Sequence, residues 1–143
     1  MSSSSVLAQI QRDFLDMGES DRLQFLLEFS DELPELPARY ADHPELFERV
    51  VECQSPVYIF VEVDPDAVVH VFATAPAEAP TTRGFASILV QGISGLSVSE
   101  ALLIADDFPS TLGLTRLVSP LRLHGMTGML ARIKRQIREK SAH

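Results

Sequence analysis

Val57-Tyr58-Ile59-Phe60-Val61-Glu62-Val63-Asp64-Pro65-Asp66-Ala67-Val68-Val69-His70-Val71-Phe72-Ala73 is the stretch on which the fold turns. Val57, Ile59, Val61 and Val63 alternate with Tyr58, Phe60 and Glu62, the period of a strand with two unlike faces. Asp64-Pro65-Asp66-Ala67 carries turn chemistry, with proline where its fixed φ is wanted. A second run of strand formers, Val68 to Ala73, completes an antiparallel hairpin. Pro56 is tolerable only at a strand start or an edge. Two strands alone are marginally stable, so helices must cover one face.

Helical patterns flank the hairpin on both sides. Leu7, Ile10, Phe14 and Met17 recur at spacings of three and four, which predicts an amphipathic helix. Gly18 is expected to stop it in the left-handed conformation, and Ser20 or Asp21 to cap the next helix. Leu23, Leu26 and Leu27 form that second helix's apolar stripe, widened by Phe25 and Phe29. Pro34 and Pro37 end it and imply a loop to about Pro44. Leu46, Phe47 and Val50 suit either a helical turn or a short strand. Beyond the hairpin, residues 75–80 read as a loop. Thr81 or Thr82 then caps a helix through Phe85, Ile88, Leu89 and Ile93, closed by Gly92 and Gly95. Ser97 or Ser99 caps a short helix holding Leu102, Leu103 and Ile104. Asp106-Asp107-Phe108-Pro109 breaks it, and a short helical segment follows to Leu112. A last long helix carries Met126, Met129, Leu130, Ile133 and Ile137 on one stripe. Its basic residues Arg132, Lys134, Arg135, Arg138 and Lys140 suit either a docking surface or the helix macrodipole, the latter being the stronger reading. The chain, 1–143, reads as one α+β domain: a small antiparallel sheet packed against several helices, with residues 1–5 a frayed tail.

Composition narrows the function. A chain of 143 residues is long enough for one real core. The net charge of −8 argues against nonspecific nucleic-acid binding. That charge falls in residues 1–52, with 12 acidic and 4 basic side chains, while the rest is formally neutral. An acidic face can select a partner, although a solvated helix surface is the commoner origin of such charge. No apolar run is long enough to cross a bilayer, and Met1-Ser2-Ser3-Ser4-Ser5 does not read as a secretory signal. One cysteine cannot form an internal disulfide, so a cytoplasmic setting is expected. Cys53, His43, His70, His124 and His143 show no metal-ligand spacing, and no phosphate-binding glycine motif is present, so neither a metal site nor a phosphate cradle is expected.

What remains is thiol chemistry at Cys53, in Val51-Glu52-Cys53-Gln54-Ser55-Pro56, where an acidic segment gives way to the first strand. A lone cysteine is more often a buried small hydrophobe. A loop on a rigid sheet is nevertheless where reactive groups are usually placed. The thiolate is the nucleophile, so it needs a base or cation nearby. His70, His124, Arg83 and Arg122 are the candidates. No orienting group or oxyanion site for a hydrolase is identifiable.

The chain resembles the SufE-like family, sulfur acceptors of cysteine desulfurases in iron–sulfur cluster assembly. Cys53-Gln54-Ser55 before a hydrophobic strand carries the resemblance. Leu33-Pro34-Glu35-Leu36-Pro37, Arg83-Gly84, Leu114-Thr115 and Ser119-Pro120-Leu121-Arg122-Leu123-His124-Gly125-Met126 support it in order and approximate spacing over nearly the whole chain. Where the family commonly has glycine before the cysteine, this chain has Glu52, whose carboxylate disfavours a neighbouring thiolate. An acidic position of the family falls near Glu78.

The resemblance implies a relay. A pyridoxal-phosphate-dependent cysteine desulfurase of the SufS or CsdA kind passes persulfide sulfur to Cys53, and an iron–sulfur scaffold protein receives it. It implies a sulfur-transfer accessory protein more than a stand-alone enzyme, with no cofactor of its own. Arg122 is the second site residue it implies, as a support for the anionic sulfur or for the partner. A sheltered sulfur, tucked into an apolar cleft by a loop that swings out on docking, is the expected geometry. Two rivals stand beside it: a thiol hydrolase or transferase using Cys53 with His70 or His124, and an adaptor whose cysteine only packs.

Overall fold

The structure is a computed structural model and describes residues 6–141; the expected tail at 1–5 lies outside the described residues, as does His143. The hairpin forms as expected. Strand β2 (Tyr58–Val63) pairs with β3 (Val69–Thr74) in antiparallel register, Phe60 opposite Phe72 and Val61 opposite Val71. Its turn is closed by Ala67 N–H donating to Asp64 O at 2.9 Å, with Ala67 at φ 62°. Asp64 Oδ1 accepts from the backbone N–H of Asp66 and Val68, an aspartate side chain standing in for backbone at a turn. The undecided stretch before Cys53 resolves into both alternatives. A 3₁₀ turn (Pro44–Leu46) is followed by a two-residue strand, β1 (Glu48–Arg49), which pairs with β2 to give sheet order β1-β2-β3.

Helices cover the inner face of that sheet, where Val57, Ile59, Val61, Val69, Val71 and Ala73 are all buried. Helix α4 (Pro80–Ile93) lies on β3 and α6 (Pro120–Lys140) on β2, and the two helices touch each other. Helices α1 (Val6–Asp16) and α2 (Glu19–Asp31) pack on α4 from its other side, making a third layer. Close approach there needs glycine. A Cβ on Gly84 would lie 2.5 Å from Leu26 O of α2. Phe14, Phe25 and Phe29 join α1 to α2, with Phe14 and Phe25 ring centroids 4.6 Å apart. The outer face of the sheet is covered by the one-turn helix α3 (Ala38–Ala41). Tyr40 packs on Phe60 and Phe72 at 5.0 Å, and Phe47 on Phe60 at 5.6 Å. That turn falls where Pro34 and Pro37 imply a loop; proline at 37 is the residue before the turn and leaves the following φ/ψ free.

The free edge of β2 beyond β1 is closed by α6 side chains. Gln136 Oε1 accepts from Val61 N–H at 2.9 Å and Gln136 Nε2 donates to Ile59 O at 3.4 Å, as a neighbouring strand would. Lys140 Nζ donates to Val61 O. Two other basic residues of α6 are also tied inward, Lys134 to Ile104 O and Asp106 and Arg135 to Glu48, while Arg135 also meets Glu139 of its own helix. They fasten the helix to the fold, while Arg138 and Lys140 stand in its last turn, as the macrodipole reading expects.

Several helix ends differ from expectation. Gly18 has φ −73° and precedes α2 as its N-cap, so it is not a left-handed stop, and neither Ser20 nor Asp21 caps. Pro80 opens α4 at its first turn, where the missing N–H costs nothing, so neither threonine caps. Gly92 lies within α4, while Gly95 takes φ 96° after it. Helix α5 (Val98–Leu102) is capped by Ser97 in a reciprocal capping box with Glu100, and Leu103 and Ile104 fall just beyond it. A 3₁₀ turn (Phe108–Thr111) follows. No helix among the described residues is long and apolar enough to cross a membrane.

Candidate functional site

Cys53 sits at the tip of the β1–β2 connection. The ladder extends one pair past β1, with Val50 N–H donating to Val57 O at 2.9 Å, and both residues are fully buried. Between them the chain makes a six-residue loop, 51–56. Cys53 N–H donates to Val50 O at 3.1 Å and turns the loop back on itself. The thiol is thereby carried on a rigid hairpin stem and pressed against α6. Cys53 is buried at 8% exposure, and a Cβ on Gly125 would lie only 2.9 Å from its Sγ.

A cleft of about 650 Å³ opens in front of the loop. Its walls come from the loop itself, the start of α4 (Pro80, Thr81 and Thr82 with Glu78 before them) and the start of α6 (Ser119, Leu121, Arg122 and Gly125). The cleft mixes polar residues (Glu52, Gln54, Glu78 and Arg122) with apolar ones (Ala79, Pro80 and Leu121), where an apolar cleft is expected for a sheltered sulfur. Leu121, an exposed leucine, is one of its lining residues.

Arg122 lines the same cleft as Cys53, at the start of α6, where its backbone N–H is capped by Ser119 Oγ at 3.3 Å. The remaining helpers are not brought there. Arg83 points back into the fold, donating to Ser30 O and Ala75 O. His70 pairs with Asp64 at 2.9 Å on the hairpin turn. His124 is exposed on α6 and lines no part of the cleft. Among the described residues, no group of three or more His, Cys, Asp or Glu is placed to hold a metal ion.

Electrostatics keep this thiol neutral. Burial pushes its pKa up, and the adjoining Glu52 carboxylate pushes further; Arg132 and Arg49 oppose them, and the result is about 11. Glu52 is itself held. Burial raises its pKa, but the Arg132 hydrogen bond, its own backbone N–H and the charges of Arg132 and His124 bring it below the ordinary carboxylate range. Arg132 Nη1 donates to Glu52 Oε1 at 2.5 Å, and its Nε lies 3.2 Å from Glu48 Oε2. Gly125, Gly128 and Arg132 were not among the sequence candidates. Their signal is the spacing: glycines three apart and an arginine four further on share one face of a helix.

The SufE family, described as "Fe-S metabolism associated domain", matches residues 8–137. The chain belongs to the SufE family. This places it among proteins associated with iron–sulfur metabolism. It is 48% identical over 133 residues to a SufE-like protein of Mycobacterium tuberculosis, covering 93% of this chain and 92% of that one. It is 37% identical over 82 residues to "SufE-like protein 1, chloroplastic/mitochondrial" of Arabidopsis thaliana, covering 57% of this chain and 22% of that protein. Among solved structures it is similar to a hypothetical protein of Thermus thermophilus, with TM-score 0.82, 31% identity and 96% of each chain covered. The family match and this shared SufE-like α+β fold agree with the resemblance read from Cys53-Gln54-Ser55 and its companions.

Proposed function

We propose that this protein accepts persulfide sulfur from a pyridoxal-phosphate-dependent cysteine desulfurase onto Cys53, stimulates that enzyme, and delivers the sulfur to an iron–sulfur scaffold protein. The observation that supports this most is the placement of the chain's lone thiol: on a loop tip, sheltered against Gly125, at the head of an open cleft. The Cys53 thiolate attacks the terminal sulfur of the donor persulfide. A bond forms between Cys53 Sγ and that sulfur, the donor S–S bond breaks, and the donor cysteine departs as thiolate. Sulfane sulfur moves with no net oxidation, so no redox cofactor is called for.

A thiol with pKa about 11 is almost wholly protonated at neutral pH, roughly one part in ten thousand being thiolate. The closed position is therefore a resting one. Attack requires the loop to leave α6, which restores solvent to the sulfur and lowers its pKa toward the ordinary range. Once loaded, return of the loop shelters the persulfide from reductants and oxidants. Arg122, free to reach into the cleft from the start of α6, supplies positive charge to the anionic sulfur or to the docking partner.

The test is intact-protein mass spectrometry after incubation with an active cysteine desulfurase and free cysteine. Wild type gains one or more sulfur atoms removable by reductant; Cys53→Ser gains none, and Arg122→Ala gains them several-fold more slowly. Absence of any gain with a desulfurase that binds the protein overturns the proposal.

A further inference from the structure

The loop that carries Cys53 is tied to the rest of the molecule in an unusual way. Among the described residues, Glu52 is the one member of loop 51–56 whose side chain bonds another element, through Arg132 Nη1 at 2.5 Å. Arg132 is positioned from two further sides: Nη1 also reaches Gly128 O at 3.4 Å, and Nε lies 3.2 Å from Glu48 Oε2. The helix surface beneath is shaped to match. A Cβ on Gly125 would sit 2.9 Å from Cys53 Sγ, and one on Gly128 would sit 2.7 Å from the Glu52 carboxylate. One notch in α6 therefore takes the thiol, and a second, a turn further on, takes the carboxylate.

We propose that Glu52, Arg132 and Gly128 form a latch that holds the Cys53 loop closed on α6, so that breaking the Glu52–Arg132 pair releases the thiol. Glu52 and Arg132 are positioning residues; Cys53 alone reacts. The burial of the pair suits a reversible closure. Its side chains are 26% and 16% exposed. A fully exposed pair would hold the loop too weakly, and a fully buried one would resist opening. The latch also couples position to reactivity. Closed, the thiol is buried with the Glu52 carboxylate beside it, and both keep the proton on sulfur. Open, both influences lapse together. The inference rests on Cys53 being the reacting thiol, but its test needs no desulfurase, so the two can fail separately.

Alkylation of Cys53 by iodoacetamide across pH reads both the access and the titration of the thiol, which faces Glu52, Arg132 and Arg49. Glu52→Gln is expected to raise the rate at pH near 8 about tenfold and to move the midpoint down toward that of a free thiol. Gly128→Ala, whose methyl displaces the carboxylate, behaves the same way. Sodium chloride at about 1 M speeds alkylation of the wild type and leaves Glu52→Gln unchanged, a dependence that a purely packing role of Glu52 would not give. Urea unfolding establishes that each variant is folded; should Glu52→Gln not fold, Gly128→Ala and the wild-type salt response decide. Rates within twofold of wild type in the folded variants, with an unmoved midpoint and no salt response, overturn the latch.

Discussion

Cys53 is a thiol kept in its protonated form by where it sits. Burial acts first and the Glu52 carboxylate second, against the partial relief of Arg132 and Arg49. Without a partner, its alkylation is expected to run about a hundredfold slower than that of free cysteine near pH 8, with a midpoint near 11. The sign carries over to stability. The folded pKa stands above the ordinary 9.0, so this contribution is present below that value and is lost as pH rises toward about 11. Urea midpoints compared between wild type and Cys53→Ala across that window check it: the gap between the two proteins changes there and is flat below. Cys53 is legible in the sequence as a lone cysteine before a strand, a local pattern, and Arg122 only through the resemblance to the SufE-like family. The Glu52–Arg132 bond is not, since its partners are 80 positions apart and meet only when α6 packs on β2.

At the scale of the element, the hairpin stem and α6 act as one unit. Gln136 behaves as a surrogate strand, satisfying Val61 N–H beyond the Glu48–Ile59 pair where β1 ends and adding a bond to Ile59 O. Gln136→Leu keeps the bulk but leaves the buried Val61 N–H without its partner. It is expected to lower stability by about 1–3 kcal/mol, seen as a lower urea midpoint with an unchanged slope. The sequence periodicity located α1, α2, α4, α6 and both long strands, because burial of one face imposes a period that needs no tertiary information. Helix ends were read less well. Ser97, one of the two serines expected to cap α5, does so through a capping box with Glu100 that is local in sequence. Gly18 and Pro80 took the other starts, where the direction of the entering chain, set by packing on α4 and β3, decides which residue stands at the boundary. The inward bonds of the basic residues of α6 were not legible for a related reason: their partners Ile104, Asp106, Glu48 and Val61 are all distant in sequence.

Over the whole molecule, the acidic N-terminal third is stitched to the neutral remainder by carboxylates that prefer to be ionised. Glu62 is held below its ordinary range by the Tyr40 hydroxyl and by Arg39, and Glu52 by Arg132 despite burial. Groups with depressed folded pKa values contribute stability that is present above the ordinary value of 4.5 and lost as pH falls below it. The urea midpoint is therefore expected to drop as pH is lowered from about 5 to 3, and to drop less in Glu52→Gln. The α+β class, the hairpin, the helix stripes and the lone thiol were all written in one-dimensional order, since strand alternation, turn chemistry and a single cysteine are properties of neighbours in the chain. The mixed walls of the cleft, the strand-like use of Gln136, the paired notches at Gly125 and Gly128 and the Glu52–Arg132 pair arise from contacts between residues far apart in sequence. Periodicity records which face of an element is buried, but not which residue of another element it meets.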